Sequence, residues 1–391
     1  MNFVLTDEQQ MLADSARQYI DGSYTFDDRK RLVSAGGFAR STWQSFAEMG
    51  WLAAALPQSH GGLGFSAVET ALIAEQIGRG LVLEPYTLCG VFPAAVLNHC
   101  GAEDQKAAVM PAIGSGKDFV AVACGEAGAR GYLAHVHSTA TRLANGGYLL
   151  NGSKTVIVGA PVAEKLLVVA RTGGSTRDET GISVFLLDRE SNGLTLEPYQ
   201  LVDGTPAADI RMTDVILPES ARIGPEGMAH RGLQLAVDES IVSLCAETVG
   251  GMQDVISLCA DYLKTRKQFG VPIGTFQALQ HRMADMAIEL SQARATLHRG
   301  LAALANPAAP DRSVVISGCK AQVTRSAKFV TAQGIQLHGG YGITEEYRVG
   351  HHYRRLLLTD ACFGNLEHHL NRYARHIQEQ ARSSGAVPYR A

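Results

Sequence analysis

The residue types best suited to holding a small ligand gather in two C-terminal stretches of this 391-residue chain. In "YLKTRKQFGVPIGTFQALQHRMADM" (262–286), the Arg266 guanidinium can pair with a pyrophosphate, Phe269 can cover a flat ring, and Gln277 offers an amide. In "QLHGGYGITEEY" (336–347), Gly339 and Gly340 let the backbone come close to a ligand, and Gln336 supplies a second amide. Taken singly, Arg-Lys-Gln reads equally as a solvated helix end and Gly-Gly as a helix stop.

A third set of residues could move a proton. Leu233, Val237, Ile241, Leu244, Cys245, Thr248, Met252, Val255 and Cys259 recur every three or four residues, the apolar stripe of one long helix. Glu247 borders that stripe and Asp238 flanks it, while Glu239 points to the opposite face. A carboxylate so placed serves either as a general base or as a buried ion-paired group. The doublets His351-His352 and His368-His369 do not read as a metal site, because adjacent helical residues diverge by roughly 100° where two ligands need i, i+4 spacing.

These stretches need elements to position them. Residues 1–118 read as a helical domain: Thr6-Asp7-Glu8-Gln9 is a capping box, followed by "QQMLADSARQYI", "WQSFAEMGWLAAALP" and "AVETALIAEQIGRGL" at helical spacing. From 119 to 226, short runs such as "FVAVACGE", "KLLVVAR", "GISVFLLD" and "AADIRMTDVILP" alternate with Gly, Asn and Asp turns, predicting an antiparallel β-domain. Residues 227–391 return to helices, with "SSGAVPYRA" as a loose tail. The fold class expected is α+β.

Composition narrows the partners. A net charge of -3 gives no basic field for nucleic acid. The N-terminal residues lack a secretory pattern, and no uninterrupted apolar run approaches the roughly 18 residues of a membrane span. Seven scattered cysteines without a CxxC pair predict reduced thiols and a cytoplasmic protein, with no zinc site.

The order helical domain, β-domain, helical bundle and the two C-terminal motifs resemble the acyl-CoA dehydrogenases. Residues 262–286 are similar to that family's R-x-x-F-G-x-P-I-x-x-x-Q segment, and 336–347 to its Q-x-x-G-G-x-G signature; "LPQSHGGLGF", "LNGSK" and "VILPESARIG" extend the likeness over nearly the whole chain. The resemblance implies FAD, and it implies that Arg266, Phe269, Gln277, Gln336, Gly339 and Gly340 reach the FAD of a neighbouring subunit. It also implies oligomers, usually a dimer of dimers.

The family's own-subunit flavin motifs are altered. Where the family reads S/T-E-P-x-x-G-S-D, this chain has Gly125-Glu126-Ala127-Gly128-Ala129-Arg130-Gly131-Tyr132. Where it reads K-x-W-I-S/T, this chain has Lys154-Thr155-Val156-Ile157-Val158, so Val156 and Val158 replace the indole and the hydroxyl. A flavin held there would rely on backbone groups and shape. The family's usual catalytic glutamate position falls on Phe363, ahead of Gly364 and Asn365; the alternative position on the long helix falls on Ser240. Glu247, seven residues or about 10 Å along the helix from Ser240, is the first candidate for a replacement base, with Glu367 a turn past Phe363.

The resemblance therefore implies α,β-dehydrogenation of an acyl-CoA thioester to trans-2-enoyl-CoA, with electron-transfer flavoprotein as acceptor. The texture of "GRGLVLEPY" and "FGNLEHHLNRYARH" is closest to small subunits of pimeloyl-CoA-type dehydrogenases, implying dicarboxylyl or medium-to-long acyl chains. The assembly expected is a heterotetramer with a second, unlike subunit, or else a homotetramer carrying its own base. A noncatalytic acyl-CoA-binding subunit and a flavin oxidase or monooxygenase are the alternatives.

Overall fold

The computed structural model describes residues 4–383; the expected loose tail lies almost wholly outside them. Six helices come first: α1 (Asp7–Ser23), α2 (Phe26–Ser34), α3 (Arg40–Glu48), α4 (Ala67–Arg79), α5 (Phe92–Cys100) and α6 (Glu103–Gly114). The Thr6 capping box forms as expected, with the Thr6 hydroxyl accepting from the Gln9 amide at 3.2 Å and the Gln9 side chain accepting from the Thr6 amide at 3.1 Å. The helical pattern of "WQSFAEMGWLAAALP" stops early. Gly50 takes φ +74°, α3 ends at Glu48, and the second half turns back so that the Trp51 amide bonds the Phe46 carbonyl.

Eight strands follow: β1 (Val120–Ala123), β2 (Thr139–Arg142), β3 (Tyr148–Val158), β4 (Lys165–Arg171), β5 (Ile182–Asp188), β6 (Leu194–Gln200), β7 (Pro206–Leu217) and β8 (Arg222–Ile223). They form one sheet in the order β6-β7-β3-β2-β4-β5-β8, with β1 also pairing β4. Most pairs are antiparallel, as alternation predicts, but β4 has two parallel neighbours, β1 along four residues and β2 at Thr139↔Arg171. Strand direction depends on the route of the chain, which period-two patterning does not encode. The largely exposed edge strand β6 escaped the pattern of apolar runs because it pairs on one side only.

The C-terminal part holds α7 (Ala229–Thr265), a two-stranded hairpin of β9 (Lys267–Gln268) and β10 (Val271–Pro272), then α8 (Gln277–Leu304), α9 (Arg312–His338), α10 (Val349–Ala361) and α11 (Leu366–Ser383). The α7 stripe is core: all its apolar members are buried. By length and composition α7 is long and apolar enough to cross a membrane although no uninterrupted apolar run is, but 67% of its apolar 18-residue window is buried inside the fold. N-terminal helices, a middle β region and a C-terminal bundle thus make the expected α+β architecture.

Candidate functional site

A cavity of about 320 Å³ lies where the three parts meet. Phe92 of α5, the end of β3, Val237 of α7, Leu358 of α10 and the segment 361–364 line it. Gly125, Val156, Val158 and Phe363, four of the residues singled out by sequence, face it together. The register of β3 on β7 slips between Lys154 and Ile157, and Val156 sits at φ +56°, 51% exposed, with its amide donated to Asp209 Oδ1 at 2.8 Å. A β-branched residue at positive φ is strained, and the bulge turns its side chain toward the cavity. Opposite, Phe363 (φ +57°) meets Phe92 edge-on at 4.9 Å and 80°. The position that resemblance assigns to a base is therefore filled by an aromatic pair.

The cavity holds one carboxylate, Glu126. It accepts from Lys154 Nζ at 2.6 Å, Ser138 Oγ at 2.8 Å and the amides of His137 and Ser138 at 2.6 and 3.0 Å. Burial pushes its pKa up, but Lys154 and these hydrogen bonds outweigh it and hold the group below the usual carboxylate range. Such a carboxylate stays ionised and fully partnered, a poor acceptor for a substrate proton. Burial raises both cavity thiols, Cys362 to about 12, so neither is an activated nucleophile.

The other singled-out residues form a second cluster on the surface. Arg266 closes α7, its amide bonded to the Tyr262 carbonyl at 2.8 Å, and Phe269 tops the hairpin at φ +53° and 92% exposed. Tyr262 stacks on Tyr341 at 6.2 Å and 24°, which brings Gln336, Gly339 and Gly340 beside the hairpin. Gln277 opens α8 and is exposed, and a Cβ on Gly339 or Gly340 would meet nothing within 4 Å. Phe269 meets Phe276 edge-on at 6.2 Å and 82° yet stays almost fully exposed, and the glycine pair is open, so both leave surface for a partner.

Comparison with known proteins decides the family. Three family profiles match in series: acyl-CoA dehydrogenase N-terminal domain over residues 6–117, middle domain over 121–215 and C-terminal domain over 233–378. The chain belongs to the acyl-CoA dehydrogenase family. It is 28% identical over 376 residues to the probable acyl-CoA dehydrogenase YngJ of Bacillus subtilis, covering 94% of this chain and 97% of that one. It is 27% identical to the caffeyl-CoA reductase-Etf complex subunit CarC of Acetobacterium woodii, covering 89% of this chain and 92% of that one. Among solved structures, the FAD complex of PigA superposes with TM-score 0.89 at 25% identity, covering 97% of this chain and 100% of that one.

FAD is the cofactor that the family and this neighbour support. The cavity fits it in part. Val156 and Val158 give an apolar wall for a flat ring, and the turn Gly128–Gly131 at the lip suits a phosphate: among the described residues the guanidinium of Arg130 (φ +46°) has no partner, and none accepts the Arg130 or Gly131 amide. Gly131 must be glycine, since a Cβ there would lie 2.7 Å from Gly364 Cα. Sequence reasoning passed over Arg130; its signal was an arginine in a Gly-Ala-Arg-Gly turn (128–131) where the acyl-CoA dehydrogenases carry Gly-Ser-Asp.

The expected replacement bases do not reach this acyl-CoA dehydrogenase cavity. Glu247, 4% exposed, is paired with Arg355 Nη1 at 3.2 Å, and Arg355 also meets Asp203 at 2.9 Å and the Val82 carbonyl at 2.5 Å. Burial raises the Glu247 pKa and Arg355 opposes that; the carboxylate lines a separate crevice of about 20 Å³. Through Arg355 the pair joins α7 and α10 to Asp203 and Val82, the buried ion-paired alternative that the sequence also allowed. Ser240 Oγ donates to the Ala236 carbonyl at 2.8 Å, Asp238 accepts from Ser313 and Gln234, and Glu367 is exposed at the start of α11. Asn365, expected at the cofactor, caps α11 by accepting from the His368 amide at 3.0 Å and does not line the cavity.

Proposed function

We propose that this chain is one subunit of an FAD-dependent acyl-CoA dehydrogenase assembly, converting an acyl-CoA thioester to trans-2-enoyl-CoA, in which it lends half a flavin site to an unlike neighbour. The observation that carries this is the contrast between a cavity whose one carboxylate, Glu126, is locked to four donors and an outward-facing hairpin whose Arg266 and Phe269 side chains stand exposed. When bound, FAD accepts the hydride leaving the substrate β-carbon. This chain's residues contribute Arg266 toward a pyrophosphate, Phe269 over a ring face, and amides from Gln277 and Gln336. Removal of the α-proton then falls to a carboxylate on the neighbour, because Phe363 cannot take it.

Electron-transfer flavoprotein is the acceptor in this reading, supported by the relative that is a subunit of an Etf complex. Dicarboxylyl or medium-to-long acyl-CoA substrates follow from the likeness to pimeloyl-CoA-type small subunits. Seven free cysteines, five of them buried, support a reducing, cytoplasmic setting.

The test is flavin released per chain, with oligomer mass, for the chain expressed alone and then with a second acyl-CoA dehydrogenase subunit. Little FAD alone and one FAD per heterodimer on co-expression is expected. Full loading in a homotetramer that turns over acyl-CoA overturns the half-site reading.

A further inference from the structure

Upstream of β2, His135 and His137 flank the buried Val136, so their imidazoles share the outer face of an extended segment. Their Nε2 atoms stand 2.9 Å apart, with ring centroids at 4.7 Å. Two imidazole nitrogens bound to one ion at about 2.0–2.1 Å are about 2.9 Å apart at a right angle and about 3.4 Å apart at the tetrahedral angle. The observed spacing is the right-angled bite, which belongs to square-planar or octahedral ions.

The backbone beneath the pair is held on every side. The His135 amide donates to the Tyr132 carbonyl at 3.0 Å, the Val136 amide to the Thr176 carbonyl at 3.1 Å and the His137 amide to Glu126 Oε2 at 2.6 Å. Arg171, itself buried, donates to the carbonyls of Ala134 at 2.9 Å and Val136 at 3.2 Å. Two imidazoles mounted on so fixed a segment lose little freedom on chelating an ion. Among the described residues neither ring has another hydrogen-bond partner, and neither lines the cavity.

We propose that His135 and His137 form a bidentate site for a divalent transition-metal ion of right-angled preference, Cu²⁺ or Ni²⁺, distinct from the flavin cavity. Among the described residues no group of three ligands exists, so water completes the coordination and the site stays open. The rival reading is a plain imidazole–imidazole hydrogen bond, which the same 2.9 Å spacing would satisfy.

The test titrates Cu²⁺ and Ni²⁺ into the chelator-washed, untagged full-length protein in its purified assembly, by calorimetry and by Cu²⁺ paramagnetic resonance. Expected are one ion per chain, two nitrogen ligands in the hyperfine pattern, at least tenfold weaker binding in His135→Asn and in His137→Asn, and loss of the two-nitrogen signal in the double variant. Absence of binding, or equal binding by the wild type and a double variant with unchanged circular dichroism, overturns the site and leaves the hydrogen bond. Neither result depends on flavin loading, so it stands or falls apart from the dehydrogenase reading.

Discussion

The end of β3 and the hairpin that follows α7 both carry ligand-facing features of the same family, yet they have been resolved in opposite ways. At the end of β3 the Val156 amide goes to Asp209 and Glu126 goes to Lys154, and Val156, Val158 and Phe363 face the cavity. At the hairpin the Phe269 and Arg266 side chains stand exposed. A region that satisfies itself can lose its chemistry and still fold; a region that leaves an aromatic bare is built for a surface the chain does not contain.

The sharpest way to break that contrast is to restore a carboxylate to the cavity. Phe363→Glu is expected to leave acyl-CoA-dependent flavin bleaching of the assembly unchanged, since the half-site reading puts the one FAD of a heterodimer at the neighbour's site; a rise of about 10²–10⁴-fold, the span of a positioned general base, would mean that this cavity holds a working flavin of its own. Next, Glu247→Gln strands one side of a buried pair with Arg355 and is expected to cost about 3 kcal/mol of stability in denaturant melts while turnover per folded assembly holds. Turnover abolished with stability intact would make Glu247 the base after all.

A smaller effect belongs to Glu84, fully buried with Oε2 unpartnered. Burial lifts its pKa from 4.5 to about 7, so the fold retains a proton that the unfolded chain releases. Stability from this group is therefore whole below about pH 4.5 and falls as pH climbs to about 7, by up to ~1.4 kcal/mol per pH unit. Glu84→Gln is expected to flatten that part of a stability-against-pH profile. Last, Phe269→Ala is expected to leave the lone chain's melting within ~0.5 kcal/mol and to loosen FAD in the assembly roughly tenfold, read by flavin retention on dilution. A destabilised lone chain would mean that Phe269 serves its own fold.

How much of this could be read from the sequence follows the range of each interaction. The α7 stripe and the Thr6 cap were legible because their partners lie within a few residues. Val156, Val158, Gly125 and Phe363 were legible only through motif resemblance, and the cavity does gather them. Glu247 was legible only as a choice between a base and a buried ion pair, since its partner Arg355 is 108 residues away and no local pattern announces it. Asn365 accepts from the His368 amide, a local cap that the motif resemblance did not announce. The parallel flanks of β4 depended on the path of the chain rather than on any run of residues.

The long helix α7 has a mechanical consequence. Its 37 residues form a strut of about 55 Å that carries a cavity-lining residue, Val237, near one end and the root of the Arg266 hairpin at the other. One continuous beam therefore sets the span between what the chain keeps and what it extends outward. Inserting a single residue midway would swing the hairpin by about 100° and shift it by about 1.5 Å. The tolerance for fitting a neighbour is thus set by the pitch of one helix.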